Sequence, residues 1–111
     1  MAISKKIPKG AKVNEGAKGA VGGKYILRLF VTGILPNSVR AVENTKAICE
    51  EYLKGRYELE IIDVYQQPSL ALIEEIVAVP VLIKKFPLPE ARLIGDMSNT
   101  EMVLKGLHLV D

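Results

Sequence analysis

The sequence of 111 residues is short of the side chains from which most active centres are built. It has one cysteine, Cys49, which leaves no intrachain disulfide framework, no Cys-x-x-Cys redox pair and no multi-cysteine zinc site. It has one histidine, His108; a single histidine makes no zinc site, and no serine or cysteine motif stands ready to pair with it. Tryptophan is absent, and two Phe and four Tyr leave no stacking platform for single-stranded nucleic acid. No stretch approaches the ~20 apolar residues that span a bilayer. The early lysines are followed by no apolar run of a secretory signal, so a cytoplasmic location is expected. There is no Gly-x-Gly-x-x-Gly and no phosphate-binding loop. Gly19, Gly22 and Gly23 run into a strand rather than a helix and cannot cradle phosphate. No catalytic residue, cofactor or metal is expected.

What is present is unevenly charged. The net charge of +2 averages two unlike parts. Residues 1–24 carry six lysines (Lys5, Lys6, Lys9, Lys12, Lys18, Lys24) against Glu15 alone, and the rest of the chain has a net charge of −3. Residues 1–23 combine those lysines with Gly10, Gly16, Gly19, Gly22 and Gly23 and show no sustained hydrophobic period. They read as a flexible basic arm, and residues 24–111 as one domain with one core.

Order is expected from Tyr25. Tyr25-Ile26-Leu27-Arg28-Leu29-Phe30-Val31 is apolar on both faces except at Arg28, which predicts a central strand stopped by Gly33. Pro36, Asn37 and Ser38 signal a helix start with an Asn or Ser cap. Val39, Val42, Ile48, Cys49, Tyr52 and Leu53 supply its apolar stripe, and Gly55 its end. Tyr57, Leu59 and Ile61 alternate with Glu58 and Glu60 in a second strand that Ile62 and Val64 extend. Strand, helix and strand at this spacing predict parallel pairing. Ser69 then caps a short helix with Leu70, Ile73 and Val77 on one face. Val79 to Ile83 reads as a strand entered through Pro80, with Lys84 and Lys85 marking its end. Pro87 and Pro89 force a turn before a short strand, Ala91–Ile94. Ser98-Asn99-Thr100-Glu101 has the form of a capping box opening a last helix striped by Met102, Val103, Leu107 and Val110. The order β-α-β-α-β-β-α is the thioredoxin-like plan.

That plan raises redox chemistry, whose dithiol belongs where the first strand meets the first helix. Here the segment is Thr32-Gly33-Ile34-Leu35-Pro36-Asn37-Ser38, without sulfur. Cys49 lies more than two turns downstream on the apolar stripe and reads as a structural cysteine. His108, near the end of the last helix, suits the helix dipole there. Glu50-Glu51 and Glu74-Glu75 read as solvated helix faces.

From Tyr25 to Leu109 the chain resembles the KaiB family. The resemblance rests on the run from Tyr25 to Gly33, Pro36-Asn37-Ser38-Val39-Arg40-Ala41, Ile62-Asp63-Val64, Gln67-Pro68, Val79-Pro80, and Leu93-Ile94-Gly95-Asp96-Met97-Ser98-Asn99. It implies a non-enzymatic clock or regulatory protein that binds a KaiC-type RecA-like ATPase, with other clock components as further partners. It also implies a metamorphic domain: a thioredoxin-like monomer that binds the ATPase, and a form with a rearranged second half that assembles as a tetramer. On the same resemblance, Val79–Pro80 is expected to be cis. Arg40 and Arg92 match basic family positions, and Glu60 and Glu75 stand where cyanobacterial members tend to have lysines. These four are the candidate partner-binding residues. His108 stands where the family commonly has aspartate, and Pro80, Gly106 and His108 are candidate determinants of the switch. Gly106 weakens the last helix by about 1 kcal/mol relative to alanine. Two other readings stand beside this one: a thioredoxin-like interaction domain related to the sensor domains of clock histidine kinases, and a redox protein using Cys49 alone.

Overall fold

A computed structural model describes residues 24–110, so the expected basic arm over 1–23 lies outside the described residues. The elements are β1 (Tyr25–Val31), α1 (Pro36–Tyr52), β2 (Tyr57–Asp63), α2 (Pro68–Ile73), β3 (Val81–Phe86), β4 (Ala91–Ile94) and α3 (Thr100–Gly106). The four strands form one sheet in the order β2-β1-β3-β4. β1 is central as its sequence predicts, parallel to β2 and antiparallel to β3; β3 and β4 form the antiparallel hairpin.

Period-two alternation along β1 feeds two cores. Tyr25, Leu27, Leu29 and Val31 point to one face, where they pack with Leu82 of β3, with Ala41, Ile48 and Cys49 of α1, with Leu53 just beyond it, and with Val103, Leu104 and Leu107. Phe30 points to the other face, where Ile62, Val81 and Ile83 surround it and Val64, Leu70, Ile76 and Val79 cover them. Helices α1 and α3 therefore lie on one side and α2 on the other. The Val79–Pro80 peptide is cis, as expected, and Phe86–Pro87 and Leu88–Pro89 are cis too.

Several local expectations are corrected. α1 is capped by Leu35 with no side-chain cap bond, because Pro36 supplies the first-turn geometry and lacks the N–H that a cap would satisfy. Ser38 Oγ instead turns back to accept the Thr32 N–H at 2.9 Å. α3 is capped by Asn99, one residue later than the capping box predicts: Asn99 Oδ1 accepts the Met102 N–H at 3.1 Å, and the Ser98 N–H is taken by Asp96 Oδ1. β3 runs through Lys84 and Lys85 to Phe86. On α2, Ile73 faces solvent with Leu72, and Val77 beyond the helix is 94% exposed; only Leu70 of the expected apolar face reaches the core.

Gly106 lies where α3 meets β4. A Cβ there would overlap Leu93 Cδ2 and stand 3.0 Å from Leu93 Cγ. The obstacle is mainly the tip of a rotatable side chain, so Leu93 turns aside at a cost of about 0.5–1.5 kcal/mol. Alanine's helix advantage of about 1 kcal/mol offsets it. Gly106→Ala is expected to change the urea unfolding free energy by less than about 1 kcal/mol, a near-cancellation of the two effects. A loss above about 2 kcal/mol, within the range of an overpacked core, would mean that Leu93 has nowhere to go.

Candidate functional site

Two regions concentrate chemistry. The first is a groove at the β1–α1 junction, of about 280 Å³, lined by Thr32, Leu35, Pro36, Asn37, Ser38, Val79 and Pro80. Asp63 at the end of β2 braces its rim: Oδ2 accepts the Gly33 N–H at 3.0 Å and Oδ1 accepts the Tyr65 N–H at 2.8 Å. Gly33 holds a left-handed φ of 51°, which turns the chain into α1. Ile34, 90% exposed, and Leu35 stand out from the loop as bare apolar side chains. This is the place where a dithiol would sit, and no sulfur lines it. Cys49 is buried in the core beneath α1, and desolvation, then the Glu50 charge, pushes its thiol up to about 11. The thiol is protonated at neutral pH, away from the thiolate form that reactive cysteines use. Among the described residues no group of three His, Cys, Asp or Glu is placed to hold a metal ion.

The second region is a row of charge on the α2 side of the sheet. Each strand contributes one member: Glu60 from β2, Arg28 from β1, Lys85 from β3 and Arg92 from β4. Arg28 pairs with Glu60 in the parallel ladder, their side chains 3.4 Å apart. Glu74, which ends α2, drops its carboxylate into the middle of the row and is 8% exposed, so the expected solvated face is corrected for Glu74, while Glu75 is exposed. Its Oε2 is 3.0 Å from Lys85 Nζ and 3.1 Å from Arg28 Nη1, its Oε1 3.4 Å from Arg92 Nη2, and its backbone carbonyl accepts from Arg92 at 2.7 Å. Glu90 closes the far end on Lys85 at 3.3 Å. Three cations and three carboxylates balance within the row, which fastens α2 to the sheet.

The candidate residues are thus divided. Glu60 and Arg92 belong to the charged row. Glu75 stands beside it, exposed, at a φ of 57°. Arg40 lies on the opposite side of the domain, on α1, where its Nε donates to Asp96 Oδ2 at 3.0 Å and its guanidinium also meets Asn37. Hydrogen bonds from Ser98 and from Arg40 hold the Asp96 carboxyl below the usual range. Pro80 is buried at the groove. His108 lies past the end of α3 rather than within it, and its ring meets Lys84 of β3. Sequence reasoning missed Arg28, Glu74, Lys84 and Lys85; the one visible signal was an arginine in the middle of an apolar strand.

A model of the KaiB domain matches residues 28–109. The chain is 49% identical over 87 residues to the circadian clock protein KaiB3 of Synechocystis sp., covering 78% of this chain and 85% of that protein. It is 50% identical over 86 residues to the circadian clock oscillator protein KaiB of Synechococcus elongatus, covering 78% and 84%. Among solved structures it is similar to the N-terminal domain of Synechococcus elongatus SasA, with a TM-score of 0.65 and 24% identity over 92% of this chain and 97% of that one. It is also similar to mitochondrial thioredoxin 3 of Saccharomyces cerevisiae, with a TM-score of 0.64 and 16% identity over 79% and 80%. The two structural likenesses establish the thioredoxin-like fold. The family match spans β1 to the turn after α3, and with it the relatives of nearly half identity settle the relationship: this chain belongs to the KaiB family.

Proposed function

We propose that the chain is a non-catalytic clock-type regulator that binds a KaiC-type RecA-like ATPase as a thioredoxin-like monomer. The observation that carries this reading is the KaiB match over residues 28–109, on a chain whose thioredoxin-type groove holds no sulfur. The exposed face of α1 and the β2 edge supply the contact surface. Arg40 is the candidate contact with the least structural burden, being half exposed with one carboxylate partner. Glu75 is exposed and forms no ion pair among the described residues. Glu60 and Arg92 present charge from a row that also holds the fold, so their substitution mixes two effects.

The test is size-exclusion co-elution of the full chain with a KaiC-type ATPase of the same genome, in ATP, ADP and a non-hydrolysable analogue. A stable complex is expected in at least one state, with Arg40→Glu weakening it about tenfold by charge reversal at the interface. No co-elution in any nucleotide state would overturn the reading.

A further inference from the structure

Lys84 is 1% exposed, among the most deeply buried side chains of the domain. In the sheet it stands opposite Leu27 of β1 and Ala91 of β4, on the face that α1 and α3 cover. A buried ammonium needs an anion or a set of acceptors. Among the described residues Lys84 has neither: its side-chain partner is the ring of His108, with Nζ 2.7 Å from Nδ1, and no carboxylate pairs with either group.

His108 is brought there by the way α3 ends. The Leu109 N–H bonds to Leu104 O at 2.9 Å and the His108 N–H to Lys105 O at 3.0 Å, which together make a Schellman turn. His108 occupies the left-handed position of that turn, at φ 62°, where glycine or asparagine is usual. The turn carries the imidazole back to the sheet. Tyr25 adds a second fastening, its hydroxyl donating to Leu107 O at 3.3 Å.

Two nitrogens at 2.7 Å require one to donate and the other to offer a lone pair. The pair therefore holds one proton fewer than a fully protonated lysine and histidine. A second proton places two cations in contact in a poorly screened site. Among the described residues the surrounding elements offer no counter-charge. β1 presents Leu27 and the Tyr25 hydroxyl, and β4 presents Ala91. α3 presents Lys105, engaged with Glu101 at 3.4 Å. α1 presents the protonated Cys49 thiol, and its Glu50 is taken by the Tyr57 hydroxyl. Burial also holds Lys84 below the usual lysine range.

We propose that Lys84 and His108 form a proton-operated latch: sharing one proton, they fasten the turn after α3 to the sheet, and a second proton on the pair releases that turn. The release acts on the last helix and leaves the β1–α1–β2 half untouched.

Amide hydrogen exchange on the full chain, corrected for intrinsic rates, tests this between pH 8 and pH 5.5. The Leu107 and Leu109 amides are expected to lose protection about tenfold more than those of Leu29 and Leu82 as the pH falls. His108→Asn keeps an acceptor, tolerates the left-handed backbone and does not titrate, so the relative loss should vanish. Lys84→Met removes the opposing cation and should also flatten it. A wild-type profile with no relative loss, or one that persists in His108→Asn, would overturn the latch; where Lys84→Met does not fold, the asparagine variant decides alone.

Discussion

Glu74→Ala is expected to lower the unfolding free energy at pH 7 by about 2–3 kcal/mol, at the lower edge of the cost of breaking a buried ion pair. The cost arises because the substitution leaves three cations, Arg28, Lys85 and Arg92, sharing only the two flanking carboxylates, Glu60 and Glu90, around a vacated centre. Each of them is about one-third exposed and recovers some hydration, which keeps the loss below that of a fully enclosed pair. Glu74→Gln keeps the shape and loses the charge, and should fall between wild type and alanine. Burial by itself pushes the Glu74 carboxyl up, and the Lys85 hydrogen bond with the Lys85, Arg28 and Arg92 charges outweighs it, so the group lies below its usual range. A carboxyl lowered in the folded state contributes fully above its unfolded value, about 4.3, and loses that contribution as the pH falls through the folded value. The gap between wild type and Glu74→Gln should therefore narrow at pH 3 relative to pH 7. Urea denaturation at the two pH values measures it. A loss below about 0.5 kcal/mol for alanine at pH 7, the scale of an exposed ion pair, would mean the row is ordinary solvated surface.

Phe30→Ala is expected to cost about 3–4 kcal/mol, more than any other single truncation on the α2 side. Phe30 is fully buried and pairs with Ile62 on one neighbouring strand and Val81 on the other. That core has four buried members and a lid whose helix, α2, has no buried residue. Little nearby mass is available to collapse into the vacancy, so most of the cavity should persist. Phe30→Leu restores much of the volume and should cost about 1 kcal/mol. Both are read by urea unfolding, with near-ultraviolet circular dichroism confirming a folded starting state. An alanine variant within about 1.5 kcal/mol of wild type, well short of the usual cost of a persisting cavity, would show that α2 settles onto the sheet without the ring.

Much of this architecture is written in local patterns. β1, β2 and β4 follow from apolar runs bounded by Gly33, Gly55 and Gly95, and α1 from its proline start and periodic stripe. The residues that seat α1 most deeply are less legible. Ser38, Ala41 and Thr45 are small or hydroxylated and carry no hydrophobic signal, yet they allow the helix close to the sheet; the Thr45 hydroxyl is buried without a hydrogen-bond partner among the described residues. The larger Val39 and Tyr52, which the stripe favours, lie at its half-exposed margin. Sequence reading cuts β3 short because adjacent lysines resemble a solvated strand end. Only tertiary partners distant in sequence, Glu74 for one and His108 for the other, make the two lysines compatible with a sheet interior. Glu74 is unreadable for the same reason: its burial depends on three cations from three strands. The dithiol question, by contrast, is answered by residue type alone, since no geometry supplies a sulfur pair to a sequence with one cysteine.

The neighbouring lysines of β3 also act as an alignment key. Shifting β3 by one residue against β1 would exchange the faces of its side chains and send Lys85 inward and Lys84 outward. Hydrophobic pattern alone penalises that slip weakly, because Val81, Leu82 and Ile83 are apolar on both faces. The lysines discriminate where the aliphatic residues do not. In the observed alignment Lys85 meets the Glu74 carboxylate and Lys84 meets the His108 ring, and in the shifted one each would face the other's surroundings without its mate. The hairpin is thus proofread by two charges of the same sign that differ only in which partner waits on each side.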